Sequence, residues 1–460
     1  MNLIFLAPLA AIFMMFAGFF LRNKDHVAYL AMALAAILLI ANSFEMAGQI
    51  LFNFDKAGNM IQTTKFGLLM NEICLFALFA LFLLNGRDLK FIGFHVAEYF
   101  ALMFFILSGI GIATSFANLL MFFLSIEIIT IPLFALAGAE KRNLKSVEAA
   151  LKYFLMGVFS SAVLLLGLAL IYGATGSLSL DKFNLASTPI SYNLAGGMLL
   201  VLAGMTFKVG AAPFHFWTPD VYDGAPTPIT SFMATVVKVG SFAAFISIFN
   251  ASFDIAGAKW KLAMAIIIAL TLLIGNLTAV FQQNLKRMLA YSSISQAGFI
   301  LFAIFAMNLW SHEGMILYSA AYSLATVGAF AILNKMDDQT YDGFNGFAKQ
   351  HPLLALTISI FMLSLAGIPL TAGFFGKYYM LSAALQDGGR YLWLVILAVV
   401  CAAISVYYYF RWIQSMYFKA GEATASREIT PVFTGVMVVL AVLILFIGVM
   451  PQWLLQYLYF

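Results

Sequence analysis

Between Ala203 and Gly240 the chain reads AGMTFKVGAAPFHFWTPDVYDGAPTPITSFMATVVKVG, with Lys208 and Lys238 set inside otherwise apolar segments. His215, Asp220 and Asp223 lie between them, among prolines with small neighbours. A charged side chain at the centre of a bilayer costs at least about 2.5–3.5 kcal/mol on insertion scales, so it marks a functional site by default. The chemistry such an ammonium can do is proton exchange. Desolvation penalises its charged form and a neighbouring carboxylate restores it, so moving the partner releases a proton. Pro213 removes a backbone hydrogen bond and predicts a helix break beside it. A break survives in lipid only where the freed carbonyls face protein or a hydrated cavity. The stretch therefore predicts a polar, partly hydrated path inside a membrane.

A second segment, LAGIPLTAGFFGKYY, repeats the pattern with Pro369 and a run of glycines ahead of Lys377. Glu127 lies too deep in its apolar segment to reach water, which argues for function over a structural ion pair. Lys152 sits near the start of its segment, and its stem could equally extend to the interface; the same holds for Lys377 if its segment ends early. His215 is a candidate relay at physiological pH, or a cap for broken-helix backbone. Glu72 is a candidate proton-route residue, or a polar contact with a neighbouring subunit. Hydroxyls at Thr206, Ser292, Ser293 and Ser295 could order water between these groups.

The elements that must position them follow from composition. Of 460 residues, 63% are hydrophobic and 10% charged, and the mean hydropathy is +0.97. No soluble domain hides that much apolar surface, so the chain reads as an all-α polytopic membrane protein, one domain over residues 1–460. About fourteen spans are expected: 3–21, 27–42, 67–84, 94–115, 117–138, 147–172, 194–217, 226–249, 260–281, 288–309, 313–333, 352–381, 391–415 and 431–452. The first lacks a basic leader and a small-residue cleavage site, and reads as a retained span. The longest connections, around 43–66 and 173–193, are expected as short hairpins or surface helices. Cys74 and Cys401 are far apart and suggest neither a disulfide framework nor a metal site.

Spans seven and twelve carry the breaks and are five apart. A unit of five crossings must re-enter from the opposite face, so broken helices at matching positions point to an inverted repeat. The repeats are expected at about 94–249 and 260–415. Of the 24 Lys and Arg, fourteen fall at loops after odd-numbered spans, six at loops after even-numbered spans and four within spans. The positive-inside bias then puts both termini on the non-cytoplasmic side.

Three stretches carry a family resemblance: PFHFWTPDVYDGAPTPITSF (213–232), LKRMLAYSSISQAGF (285–299) and LAGIPLTAGFFGK (365–377). They resemble the antiporter-like membrane subunits of respiratory complex I. The PDVYDGAPTP wording is similar to the N-type branch, counterpart of mitochondrial subunit 2. Length agrees, because the L type would add a long lateral helix, and Lys377 stands where the M type typically has glutamate. The resemblance implies proton translocation in an NADH:quinone oxidoreductase along a buried row matched here by Glu127, Lys152, Lys208, Lys238 and Lys377. It also implies a bacterial inner (plasma) membrane location and K-type, M-type and L-type neighbours. NADH, flavin, iron–sulfur clusters and quinone would be bound by partner subunits, since this chain has no cofactor motif. No nucleic-acid partner is expected. The alternative is a subunit of a multi-subunit cation/proton antiporter, which shares the architecture; a passive scaffold fits poorly with four lysines inside spans.

Overall fold

A computed structural model describes residues 2–21, 23–49, 60–180, 191–252, 257–386 and 389–459. The first half contains α1 (Asn2–Phe20), α2 (Lys24–Met46), α3 (Lys65–Asn85), α4 (Val96–Ala113), α5 (Leu119–Ala137), α6 (Leu144–Thr175), α7 (Tyr192–Lys208), α8 (Trp217–Gly224), α9 (Thr227–Phe232) and α10 (Lys238–Ser252). The second contains α11 (Gly257–Val280), α12 (Leu285–Ala306), α13 (Leu309–Leu333), α14 (Phe347–Gln350), α15 (Pro352–Ala366), α16 (Ala372–Leu385), α17 (Leu392–Phe418), α18 (Pro431–Val449) and α19 (Gln452–Tyr459). Starts are set by side-chain caps: Asn118, Asn143, Ser191, Asn284, Asn308 and Thr430 each accept a hydrogen bond from the first turn of the helix they precede.

Among the described residues, twelve helical segments are long and apolar enough to cross a membrane. The two other expected crossings, spans seven and twelve, are each divided. α7 stops at Lys208 and α8 starts at Trp217; α15 stops at Ala366 and α16 starts at Ala372. Gly210 and Gly367 take positive φ of 70° and 86° in these linkers, a conformation glycine adopts without a Cβ penalty. Leu370 adopts it too, at φ 73°.

Backbone groups freed by the breaks find partners, as burial in lipid demands. In the first break Ala211 N donates to Thr206 O at 2.8 Å, Trp217 Nε1 to Phe207 O at 3.0 Å and Ala212 N to Thr271 Oγ1 at 3.0 Å. In the second, the Lys377 ammonium donates to Leu365 O at 2.8 Å and Ala366 O at 3.1 Å. The lysine thereby caps the negative end of α15, where a cation is favoured.

The most enclosed segments include the one that carries Lys238. The apolar stretches of Thr227–Asn250 and α12 are 94% buried and that of α13 is 100% buried, against 39% for α1, α2, α6, α17 and α18. The latter face outward. α6 has 32 residues, about 48 Å against a hydrocarbon core of about 30 Å. Its charges cluster at the start, at Lys145, Glu148 and Lys152, so the excess length projects at that end.

Residues 50–59 and 181–190, the middles of the two longest expected connections, lie outside the described residues. Their described ends pair with the linker between α4 and α5: Ala117 N donates to Met60 O at 2.9 Å and Leu180 N to Ala117 O at 3.0 Å. Loops after odd-numbered spans pair separately, Leu285 N to Gln339 O at 2.8 Å and Ser426 N to Lys335 O at 2.9 Å.

Candidate proton-transfer row

Lys208 ends α7, 3% exposed. Its ammonium donates to Ser161 Oγ on α6 at 2.9 Å and lies 4.0 Å from Glu127 Oε1 on α5. That carboxylate oxygen is buried and accepts no hydrogen bond. The contact is an ion pair held slightly open, so a change of rotamer closes or breaks it.

Lys238 opens α10 directly after one π-helical turn, Met233–Val237. Such turns often mark functional positions inside helices. Its ammonium donates to Ser293 O at 2.6 Å and Ser293 Oγ at 2.5 Å, and the Tyr322 hydroxyl donates to the same Oγ at 3.1 Å. Lys377, on the second turn of α16, is held by the two α15 carbonyls and lies 4.3 Å from the Phe299 ring centroid. Among the described residues no carboxylate comes within ion-pair distance of Lys238 or Lys377. Backbone and hydroxyl dipoles do the solvating instead.

Gln296 lies between the two lysines. Its Nε2 donates to Leu365 O at 3.0 Å, the carbonyl that also receives Lys377, and to Tyr409 OH at 2.9 Å. Its Oε1 accepts from the Tyr318 hydroxyl, and Tyr409 hydrogen-bonds Ser292. Tyr318 stacks on Tyr322, centroids 6.3 Å apart, and Tyr322 leads back through Ser293 to Lys238. Ser319, next to Tyr318 on α13, is a buried hydroxyl with no protein partner, the kind of group that ordered water satisfies. Gln296, Tyr318, Tyr322, Tyr409 and Ser161 were not singled out from sequence. The available signal was a polar residue in each apolar segment, Gln296 within YSSISQAGF and the two tyrosines four apart on one helical face.

The other candidates are placed elsewhere. Lys152 is 41% exposed and pairs with Glu148 at 2.7 Å and Asp220 at 2.9 Å, and Asp220 also meets Arg287 at 3.3 Å. These groups line a cavity of about 170 Å³ between the start of α6, the C-terminal half of α8 and the start of α12. His215 is buried in the α7–α8 break with its ring 4.5 Å from Phe216. Glu72 accepts from Asn42 Nδ2 and Ser43 Oγ, both at 2.7 Å, and lines a separate, mainly apolar cavity of about 200 Å³. Thr206 is spent on its own helix, donating to Leu202 O at 2.8 Å. Lys286, at the start of α12 where a loop cation would anchor at the interface, is buried. It donates to Asp223 O at 3.0 Å and Ala225 O at 2.6 Å, capping α8.

Residues 117–405 match the family described as NADH:quinone oxidoreductase/Mrp antiporter, TM. The chain belongs to this family. The family match runs from α5 into α17 and takes in both breaks and every row lysine; Glu72 lies outside it. A relative from Cytophaga hutchinsonii, NADH-quinone oxidoreductase subunit N, is 40% identical over 370 residues, 79% of this chain and 80% of its own length. A chain in respiratory complex I from Thermus thermophilus with bound aureothin is 32% identical, with a TM-score of 0.84 over 98% of both chains. A chain of the Mrp complex from Dietzia sp. DQ12-45-1b has a TM-score of 0.85 at 18% identity, covering 99% of this chain and 95% of its own; that likeness is one of fold alone.

Proposed function

We infer that the chain is a proton-translocating membrane subunit of an NADH:quinone oxidoreductase, of the N type. The observation that carries this reading is the buried connection Lys238–Ser293–Tyr322 and Lys377–Leu365 O–Gln296, in a chain whose relatives at up to 42% identity are named subunit N. The likeness to the Mrp complex chain, at 18% identity, supports the antiporter alternative less.

In this reading Glu127 and Lys208 form the adjustable pair, and Lys238 and Lys377 are the exchanging groups of the second half. Two unit charges at 4 Å interact by about 4 kcal/mol at an effective dielectric of 20, falling to about 2.4 kcal/mol at roughly 7 Å. A rotamer change at Glu127 therefore alters the free energy of a charged Lys208 by nearly 2 kcal/mol without moving a helix. Gln296 shares the Leu365 carbonyl with Lys377 and also holds the Tyr318 and Tyr409 hydroxyls, so it ties the field at Lys377 to the hydroxyl cluster while water carries the proton. Lys152, with Asp220 and Arg287, stands at the start of α6 beside the end of α8, and His215 lies inside the first break. Glu72 serves a separate route or a subunit contact.

The redox chemistry belongs to partner subunits that bind NADH, flavin, iron–sulfur clusters and quinone; this chain binds none of them. The repeats at about 94–249 and 260–415, both termini outside the cytoplasm, the bacterial inner membrane and K-type, M-type and L-type neighbours are part of the same reading. Purification from native membranes tests it. The expected result is co-purification with a flavin-containing, NADH-oxidising assembly. Recovery in a complex of membrane chains alone would favour the cation/proton antiporter.

A further inference from the structure

Away from the lysine row, a cavity of about 830 Å³ opens between α2, the end of α3, the loop after α13 and the start of α18. One wall is apolar, formed by Met32, Leu83, Leu84, Val432 and Phe433. The other is basic, with Arg87, Lys90, Lys335 and Arg427 facing Asp88 and Glu428.

Pairing within the cavity leaves positive charge over. Lys90 is engaged by Asp25 at 2.8 Å, and Lys335 is buried against Asp88 at 2.7 Å. Among the described residues Arg87 forms no ion pair: it donates to Tyr29 OH at 3.3 Å, and Asp25 and Asp88 act on it only from beyond ion-pair distance. Arg427 donates to Asn334 Oδ1 at 2.7 Å and lies 5.0 Å from the Phe91 ring centroid. Its nearest carboxylate is Asp88 at 4.0 Å, already held by Lys335. Among the described residues Glu428 forms no ion pair with either arginine. Burial holds the Arg427 guanidinium below its ordinary range against the pull of Asp88 and Glu140.

Depth narrows the occupant. All four basic residues lie in or beside loops after odd-numbered spans, where helices end and headgroups begin. Tyr29 and Phe91, 51% and 59% exposed, stand at the rim as interfacial aromatics do. Val432 is 67% exposed, so the apolar wall continues outward. A soluble anion would use the arginines and leave that wall idle. An apolar chain alone would leave the arginines unanswered. Basic pockets between membrane helices at this level fit lipid headgroups.

We propose that this cavity binds one anionic glycerophospholipid, its phosphodiester between Arg87 and Arg427 and an acyl chain along Met32, Leu84 and Val432. The assembled complex, delipidated and then supplied with phosphatidylglycerol bearing a photoactivatable acyl chain, tests this. Cross-links should map to residues 83–91 and 426–433, and phosphatidylcholine should not compete. At about 1 kcal/mol per basic residue near the surface, Arg87→Gln should weaken retention about fivefold, and Arg87→Gln with Arg427→Gln about thirtyfold. If the double variant fails to assemble, Arg87→Gln alone decides. The proposal is overturned by equal competition from phosphatidylcholine, by cross-links confined to other residues, or by unchanged retention in Arg87→Gln. Displacement by inorganic phosphate as effectively as by phosphatidylglycerol would make it a soluble-anion site and equally overturn it. Protection of these loops by a partner chain in the fully lipid-free complex would do the same.

Discussion

Lys238 is the place to ask whether a buried ammonium in this row carries protons or only charge. Its head group makes two close hydrogen bonds, to Ser293 O at 2.6 Å and Ser293 Oγ at 2.5 Å, and the residue is 4% exposed. Lys238→Met keeps the length and removes both. Hydrogen bonds to a charged group contribute about 1.5–3 kcal/mol each, so about 3–6 kcal/mol is lost. The cost of burying the ammonium, itself several kcal/mol, disappears with it. Ser293 Oγ keeps its bond from Tyr322 at 3.1 Å, so no hydroxyl is orphaned. The two effects oppose one another at similar size, and the Met variant should assemble.

Lys238→Arg keeps the charge on a side chain that does not deprotonate in proteins, at an overpacking cost of about 1–3 kcal/mol. A static counter-charge tolerates that exchange; a proton carrier does not. Both variants should assemble with peripheral redox centres still reducible by NADH. In sealed inside-out vesicles both should lose proton uptake, and coupled quinone turnover should fall at least about tenfold, the equivalent of 1.4 kcal/mol on the barrier. The reasoning fails if Lys238→Arg pumps near the parental ratio of protons to electrons. Lys238 is then a fixed charge, and the row runs from Lys208 to Lys377 without it.

Gln296→Leu should assemble but pump poorly, because the buried Tyr318 hydroxyl loses its partner at about 1–3 kcal/mol while Tyr409 keeps only Ser292; Gln296→Glu, able to donate and accept when protonated, should recover part of it in the same vesicle assay. Parental pumping in Gln296→Leu would remove the hub from the path. Gly373→Ala should abolish assembly, since a Cβ there falls 2.0 Å from Ser364 O and would force α15 and α16 apart; normal yield of the intact complex on native gels would contradict this. For orientation, in a background without the buried Cys74 and Cys401, Asn143→Cys and Asn345→Cys should face the cytoplasm and Tyr192→Cys, at a position 98% exposed, the opposite side. Labelling of Asn143→Cys by an impermeant reagent on intact cells would reverse the orientation.

The breaks and the lysines were legible in the sequence because each violates what lipid asks of a helix. Pro213 and Pro369 cannot continue a regular ladder, and a lysine in an apolar run has no bland explanation at the bilayer centre. Gln296, Tyr318, Tyr322 and Tyr409 violate nothing. They are neutral residues on α12, α13 and α17, and their meeting is a product of tertiary packing. Loop cations misled in the other direction. Lys286 and Lys335 sit where positive-inside anchors are expected, yet one caps α8 from within and the other is buried against Asp88. Lys152 was ambiguous for a geometric reason. Whether it lies in lipid depends on how far α6 projects, and a helix of 32 residues leaves that free.

The partners of the lysines also separate their roles within the proposed function. Glu127 holds Lys208 through a side chain, and a side chain can swing. Lys377 is held by two carbonyls of α15 and Lys238 by one carbonyl of α12 together with the Ser293 hydroxyl, and the carbonyls stay fixed while those helices keep their ladders. A fixed dipole sets a constant bias and cannot itself carry a signal. The charge of the second-half lysines must therefore follow changes in field or hydration arriving from outside their own shell. The routes available are the Ser293–Tyr322 contact at one end and the Gln296 amide at the other. Signal origin thus belongs with the open Glu127–Lys208 pair, and response with the carbonyl-held lysines, a division that needs no helix to move.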